Sequence, residues 1–479
     1  MPSQPKRHDH FSTRAIHVGS EPDPSTGAVV PSLSVATTFK QDGVGKPRVY
    51  EYSRSANPTR SALEALLTSL ETCPSSFTSE DAHHDASGGE SLVFASGSAA
   101  TAAVAHWVSL AEAEGGAGGK DGQGGGGHIL AVNDVYGGTA RYFSRTSKPT
   151  GLEVTFLNLE KAGEDGIRQA IRPDTRLIWL EVPTNPLLLV PPLELIASIV
   201  NSLPENTRPL VLVDTTFLSP FYITPLISAS PDSLPLADIA YSSLSKYASG
   251  HSDIILGSVT VSPQTARLRP NLIKGLRFLQ NSLGASPSPR DAHLLIRSLK
   301  TLSVRMLKHG LNALRIADYL SSHPGVDRVR YPGFKGDNAF KTVESLLSPN
   351  AKRELEYLGW SFPYTPSSQE KAGSNKNSLA YTQTLGIPFG GVITFTIKDA
   401  TAEQTEEFCT TLRVVTLAES LGGVESLIEV PLGMTHSHLP KATLDELQIT
   451  PNLIRLSVGI EDFDDLVEDL EAGFGALGK

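Results

Sequence analysis

"PLVLVDTTF" (209–217) and "ADIAYSSLSKYASGHSD" (237–253) are apolar runs that each lead into a charge. Asp214 closes the first, and Lys246 follows the second among Ser243, Ser245 and His251. A charge at the end of a buried strand is costly unless it is paired or neutralised. Singly, each has a plain explanation, since aspartates cap turns and lysines sit on surfaces. The flanking pattern makes them parts of one rim. Working outward, "SLVFAS" (91–96), "HILAVN" (128–133), "LEVTFLN" (152–158), "RLIWLEV" (176–182) and "ILGSVTV" (255–261) are further short β-rich runs. Helical or loop segments separate most of them. Nearly continuous apolar strands alternating with helices predict a mostly parallel sheet covered on both faces. Ligands of such sheets collect beyond the carboxyl ends of the strands, which is where this reading puts Asp214 and Lys246.

Past residue 284 the pattern changes. "SPRDAHLLIRSLKTLSVRMLKHGLNALRIADYLSSH" (288–323) carries apolar residues at helical spacing and predicts a long helix with room for one break. "GVITFTI" (391–397) and "LIRLSVGI" (453–460) predict strands of a second, smaller α+β domain, closed by the amphipathic helix "FDDLVEDLEAGFGAL" (463–477). The expected organisation is an N-terminal arm over 1–62, a large domain over 63–284 and a C-terminal domain over 285–479. Residues 74–90, the glycine-rich 111–128 and the polar 361–380 read as inserted loops, the latter two without a catalytic role.

The composition narrows the function. The 479 residues suffice for more than one domain, and 39% apolar with 19% charged residues describe a globular chain. A net charge of -10 argues against nucleic acid as a partner. No apolar run has the length of a membrane span, and the N-terminus lacks the apolar core of a secretory signal. Cys73 and Cys409 are the two cysteines, too few for a disulfide framework or a zinc quartet and suited to a reducing, cytoplasmic setting. "HDH" (8–10), His83–His84 and "THSH" (435–438) fit no strong metal-ligand spacing, so no metal is expected.

Three constellations carry chemistry. An anion on one strand and a lysine on the next are what pyridoxal phosphate needs: a carboxylate keeps its ring nitrogen protonated, and an amine condenses with its aldehyde. "FASGSAATAAVAHWVSL" (94–110) runs from strand through Ser-Gly-Ser into a helix whose N-terminus suits a phosphate, with Gly97 allowing close approach and Ser243 and Ser245 adding hydroxyls. Tyr136 in "NDVYGGTARYF" (133–143) follows a strand and precedes Gly-Gly, where its ring can lie over a planar ligand.

With these come "RAIHVGSEPDPSTGAVVPSLSVATTFK", "EYSRSANPTRSALE", "EVPTNP", "RFLQNSLGASPSPRDAHLLIRSLKTLSVRM", "LAESLGGVESLIEVPLGMTHSHLP" and "NLIRLSVGIED". In this order, over about residues 13–470, they resemble the cysteine/methionine-metabolism family of pyridoxal-phosphate enzymes. The resemblance implies an aspartate-aminotransferase-like (fold type I) α/β fold, with a mostly parallel sheet in the large domain and a smaller α+β C-terminal domain. It implies pyridoxal phosphate as cofactor, a small sulfur amino acid as substrate, and a homotetramer built as a dimer of dimers. It casts Lys246 as the cofactor's lysine and proton carrier, and Asp214 as the ring-nitrogen partner. Tyr136 becomes a stacking and catalytic residue. Gly97, Ser98, Thr216, Ser243 and Ser245 line the cofactor site, and Tyr52 and Arg54 of the arm reach a neighbouring subunit's cofactor. Arg141, Asn185, Glu419, Ser420, Thr435 and Arg455 are cast around the substrate. The reaction expected is α,γ-elimination of cystathionine to cysteine, 2-oxobutanoate and ammonia. Alternatives on the same scaffold are β-elimination, cystathionine synthesis and sulfhydrylation of homoserine esters; a non-catalytic cofactor-binding protein is a further one. Three positions depart from the family's usual pattern: Thr215 where asparagine is commoner, Ser98 for leucine or methionine, and Ser245 for threonine.

Overall fold

The computed structural model describes residues 9–73, 89–110, 126–146, 148–205, 207–228, 234–366, 378–437 and 439–478. The three expected insertions, 74–90, 111–128 and 361–380, lie mainly outside the described residues.

A small ribbon, β1 (Gln41–Gly43) with β2 (Lys46–Pro47), marks the arm. The large sheet contains β3 (Glu90–Phe94), β4 (His128–Val132), β5 (Glu153–Leu157), β6 (Thr175–Glu181), β7 (Leu210–Asp214), β8 (Ile239–Ser242) and β9 (Gly257–Val261). Their order across the sheet is β3-β9-β8-β7-β6-β4-β5. The pairs from β8 through β7, β6 and β4 to β5 are parallel, whereas β9 runs antiparallel to both β8 and β3. Strands such as β4, buried along its whole length, read as unbroken apolar runs because helices cover both faces. Beneath the rim, Trp179 packs on Tyr241 with ring centroids 5.1 Å apart and edge-on to Phe143 at 5.4 Å.

One register detail positions the site. Glu181 at the end of β6 pairs with Asp214 at the end of β7, and Asp214 with Tyr241 on β8. Directly paired residues in a sheet project to the same face, so the three form one row at the carboxyl rim.

The second sheet has β10 (Val326–Arg330), β11 (Val392–Ile397), β12 (Thr416–Leu417), β13 (Leu427–Glu429) and β14 (Leu453–Ser457), ordered β10-β11-β14-β13-β12. Only β12 and β13 pair in parallel. Phe395, Ile454 and Leu456 meet Phe408 and Phe474, which come from the helices Ala402–Thr411 and Phe463–Ala476. The helical stretch after residue 288 breaks once, into Pro289–Leu299 and Leu302–Ser322. The first of these and the start of the second join the core of the large sheet through Leu295, Leu299 and Met306, while Leu314 and Leu320 join the other core. One helical segment therefore ties the two sheets together. No helix among the described residues is long and apolar enough to cross a membrane.

Candidate active site

Lys246 sits in the turn that leaves β8. Its N–H donates to Ser243 O at 3.2 Å and its carbonyl accepts from Gly250 N at 2.8 Å. The buried guanidinium of Arg305 holds the next two carbonyls, Tyr247 O at 2.6 Å and Ala248 O at 3.2 Å. The backbone is thereby braced, and the side chain turns to the second sheet, where Nζ donates to Ser420 Oγ at 2.6 Å. Burial, and then the charge of Arg455, pull the Lys246 amine down to about 8, against the opposing pull of Glu429 and Glu419. An amine so placed is part neutral near pH 7 and able to act as nucleophile and base.

Asp214 ends β7 with its carboxylate held by Thr216: Oδ1 accepts the Thr216 N–H at 2.8 Å and the Thr216 hydroxyl as well. The same Thr216 hydroxyl accepts Ser243 N–H at 2.8 Å, so Thr216 links the anion to the turn bearing Lys246. Burial pushes the Asp214 carboxyl up to about 7, with the Thr216 hydrogen bonds opposing. A cation beside it would bring it back down.

The helix Gly97–Ser109 starts at this rim, capped by Ser96, whose side chain accepts from Ala99 N. Its alanine-rich sequence favours helix, and its first turn leaves N–H groups free for an anion. Gly97 is needed there, since a Cβ would lie 2.8 Å from the Tyr241 hydroxyl and 3.3 Å from Ser243 Oγ. Ser98 is exposed and, with Thr101, Tyr136, Arg141, Tyr142 and Tyr241, lines a cavity of about 230 Å³. The Tyr136 ring, 44% exposed, folds over Gly138, where any Cβ would run into it. Ser245 differs from the expected phosphate donor. Its hydroxyl is used by Leu256, accepting the N–H at 3.0 Å and donating to the carbonyl at 3.3 Å.

Arg455 projects from β14. It donates to Asn185 Oδ1 at 2.9 Å and Ser420 O at 2.6 Å, and pairs with buried Glu429 at 3.1 Å. Thr435 Oγ1 donates to the other Glu429 oxygen at 2.9 Å. Among the described residues, the buried Arg455 Nε has no hydrogen-bond partner. Glu419 is exposed, and its charge acts on Lys246, Arg455 and Glu429.

Tyr52 and Arg54 stand apart from this group. Both are exposed, with the Arg54 guanidinium 5.7 Å from the Tyr52 ring and donating to Asn281 Oδ1 at 2.8 Å. Buried Arg60 shapes their loop by donating to the carbonyls of Arg54 and Ser55.

The sequence reading passed over Glu181, Tyr241, Arg305 and Glu429. Glu181 had the same visible signal as Asp214, an acid closing an apolar run in "RLIWLEV". Glu429 repeats it in "LIEVP". Nothing local marks Tyr241 or Arg305.

The residues fit pyridoxal phosphate on three observations. A glycine-cleared helix start would receive the phosphate, a half-buried carboxylate with no ion pair among the described residues would face a charged ring nitrogen, and a desolvated amine stands in the turn after the next strand. Fold and site thus define a pyridoxal-phosphate-dependent enzyme of fold type I. The sequence profile of the family described as Cys/Met metabolism PLP-dependent enzyme matches residues 12–352 and 372–475, and the chain belongs to that family. It is 39% identical to the cystathionine gamma-lyase of Macaca fascicularis over 468 residues, which are 98% of this chain and 94% of that one. Among solved structures, cystathionine gamma-lyase from Lactobacillus plantarum complexed with L-serine superposes with a TM-score of 0.75 at 34% identity, covering 98% of this chain and 99% of that one. The metB protein of Corynebacterium glutamicum also gives 0.75, at 32% identity and 98% coverage of both chains.

Proposed function

We propose that this chain is a cystathionine γ-lyase: L-cystathionine and water give L-cysteine, 2-oxobutanoate and ammonia. The observation that carries this reading is the grouping around Ser420, whose hydroxyl meets Lys246 Nζ at 2.6 Å and whose carbonyl meets Arg455 at 2.6 Å. A substrate α-carboxylate on the unpartnered Arg455 Nε would bring its Cα toward the lysine amine. Relatives named cystathionine gamma-lyase at 36–39% identity, over at least 96% of this chain, favour this member of the family.

Pyridoxal phosphate, when bound, supplies the electron sink that lets C–H bonds next to its substrate carbon ionise and a γ-sulfur depart. The helix start at Gly97 and Ser98, with Ser243, would hold its phosphate, and Asp214 its ring nitrogen. Tyr136 would cover its ring, with Arg141 at the cavity wall. Lys246 would bind the cofactor at rest and, once displaced, take a proton from Cα and return one to the carbon skeleton. Asn185 orients Arg455, while Glu429, held by Thr435, balances its charge. Glu419 would face the distal ammonium of cystathionine.

Tyr52 and Arg54, both exposed and with Arg54 held by Asn281, are proposed to complete the site of a second copy in a homotetramer. Val29, Val30, Val35, Val44 and Val49 along the same arm are exposed. Burying such side chains is worth about 1.5–3 kcal/mol each, which favours their being covered. Two free cysteines, Cys73 and Cys409, suit a cytoplasmic setting.

The likeness to metB keeps a sister reaction in view. The deciding experiment incubates the purified holoenzyme with cystathionine and, separately, with cysteine plus activated homoserine esters. Release of 2-oxobutanoate from cystathionine as the main product supports the γ-lyase. Pyruvate as the main product, or synthesis outpacing elimination, replaces it with a sister enzyme.

A further inference from the structure

Glu181 is buried at the very end of β6, yet the mechanism above gives it nothing to do. Both of its carboxyl oxygens lie within hydrogen-bond distance of one donor, the Tyr136 N–H, at 2.9 and 3.0 Å. Tyr136 is the entry residue of the short helix Gly137–Arg141, and no side chain within that helix's own cap holds it. The direction of the Tyr136 ring follows from its backbone angles, so the group that grips its N–H aims the ring into the cavity. On the neighbouring strand, in direct register, stands Asp214.

We propose that Glu181 is a positioning residue that stays protonated, so that it aims Tyr136 over the cofactor while leaving Asp214 as the only anion at the ring nitrogen. The proposal rests on the reading of Asp214 and Tyr136 as cofactor contacts, and not on which elimination the enzyme performs.

Two side chains on neighbouring strands, about 5 Å apart across the sheet, place like charges too close for both to ionise in a buried site without a cation. The groups that face Glu181 give no such cation. They are Asp214 on β7, Tyr241 on β8, Asp134 and Tyr136 in the loop after β4, and the neutral indole of Trp179 on β6 itself. No ion pair to Glu181 or Asp214 exists among the described residues. Arg330 acts on Asp134, whose Oδ2 is already taken by Thr184 and Leu187 N. One proton therefore remains on the Glu181–Asp214 pair at neutral pH. The two acids are not equivalent holders of it. Asp214 receives two hydrogen bonds from Thr216, which favour its ionised form, and it lies nearer neutrality. Glu181 receives the Tyr136 N–H and has the Trp179 indole N–H beside it; these oppose, without overcoming, burial and then the charge of Asp214, which hold its carboxyl far above the ordinary range. A neutral carboxyl still accepts the Tyr136 N–H through its carbonyl oxygen. A cationic ring nitrogen arriving at Asp214 strengthens the same division.

The test uses apoprotein and pyridoxamine phosphate, which has no aldehyde and so binds without Lys246 and without turnover. Glu181→Gln, a permanently neutral isostere, is expected to bind it within about twofold of wild type. Glu181→Ala, which frees Tyr136, is expected to bind about tenfold more weakly. A second readout is thermal stability against pH. An acid whose folded pKa is raised is protonated in the folded state but ionised in the unfolded chain above about 4.5, so it makes stability fall as pH rises from there. Glu181→Gln removes that fall, and its Tm advantage over wild type should widen from pH 5 to pH 8. Equal loss of affinity in Gln and Ala variants, or a Tm difference that does not change with pH, overturns the proposal. Undiminished affinity in Glu181→Ala also overturns it. Asp214→Ala and Tyr136→Ala are the controls. If both bind pyridoxamine phosphate as wild type does, the cofactor reading itself fails, a result distinct from failure at Glu181 alone.

Discussion

Lys246 and Ser420 meet at 2.6 Å across the seam between the two sheets, although 174 positions separate them in the chain. Ser420 adopts φ 100°, a backbone region that non-glycine residues rarely occupy. That conformation lets one residue turn its hydroxyl to Lys246 and its carbonyl to Arg455, joining the proposed base to the proposed carboxylate anchor. Strain of this kind gathers at functional sites, where the surrounding packing holds it in place.

The Lys246 amine, lowered to about 8 by burial and by Arg455, should govern cofactor uptake. Only the neutral amine attacks an aldehyde. The rate at which apoprotein attaches pyridoxal phosphate should rise about tenfold per pH unit below 8 and level off above it. Borohydride reduction followed by mass measurement reads the attachment, and Lys246→Ala should never gain the added mass. A rate that keeps rising to pH 10 would show an ordinary exposed lysine.

Arg455 is buried and already braced by Asn185, Ser420 and Glu429. Truncating one partner of a buried charge pair costs about 2–5 kcal/mol. Arg455→Ala should raise KM for cystathionine by at least about thirtyfold, with cofactor content unchanged. Arg455→Lys should recover little, because a point charge lacks the planar fork. A KM within threefold of wild type in both variants removes Arg455 from the substrate site.

Glu419 is exposed and electrostatically coupled to Lys246 and Arg455. In the proposed γ-lyase its carboxylate would pair with the ammonium that cystathionine carries far from the reacting carbon. Glu419→Ala should shift the ratio of 2-oxobutanoate to pyruvate released from cystathionine by several-fold, an energy of about 1 kcal/mol for a partly exposed pair. Cofactor binding should stay as in wild type. An unchanged product ratio assigns the choice of reaction to another residue.

Arg54 donates to Asn281 of its own chain, and the arm that carries it and Tyr52 is proposed above to complete a second copy's site. Arg54→Ala and Lys246→Ala chains should each be inactive alone. Mixed equally and allowed to exchange subunits, they should recover about a quarter of wild-type activity, because half of random dimers are hybrids and each hybrid has one intact site. Hybrids without activity, together with a monomer by sedimentation, would place the arm outside the catalytic unit.

Much of this protein is legible along the chain. Strands β4, β6 and β7 appear as unbroken apolar runs because helices bury both of their faces, a demand that acts residue by residue. Asp214 and Lys246 stand out for the same reason, as charges that follow such runs. Gly97 reads as a helix entry from the Ser-Gly-Ser that contains it. The tertiary structure alone decided which of these ends become neighbours. Glu181 has the same local signature as Asp214, but its partners, Asp214 across one strand pair and the Tyr136 N–H from another loop, come from strand order and register. Glu429 meets Arg455 only because β13 and β14 pair at that step. The Lys246–Ser420 contact exists only because two sheets close on a shared helical segment. Burial leaves its mark on each residue's own neighbours in sequence, whereas register and the meeting of distant side chains are set by packing between segments far apart in the chain, and local spacing carries no record of them.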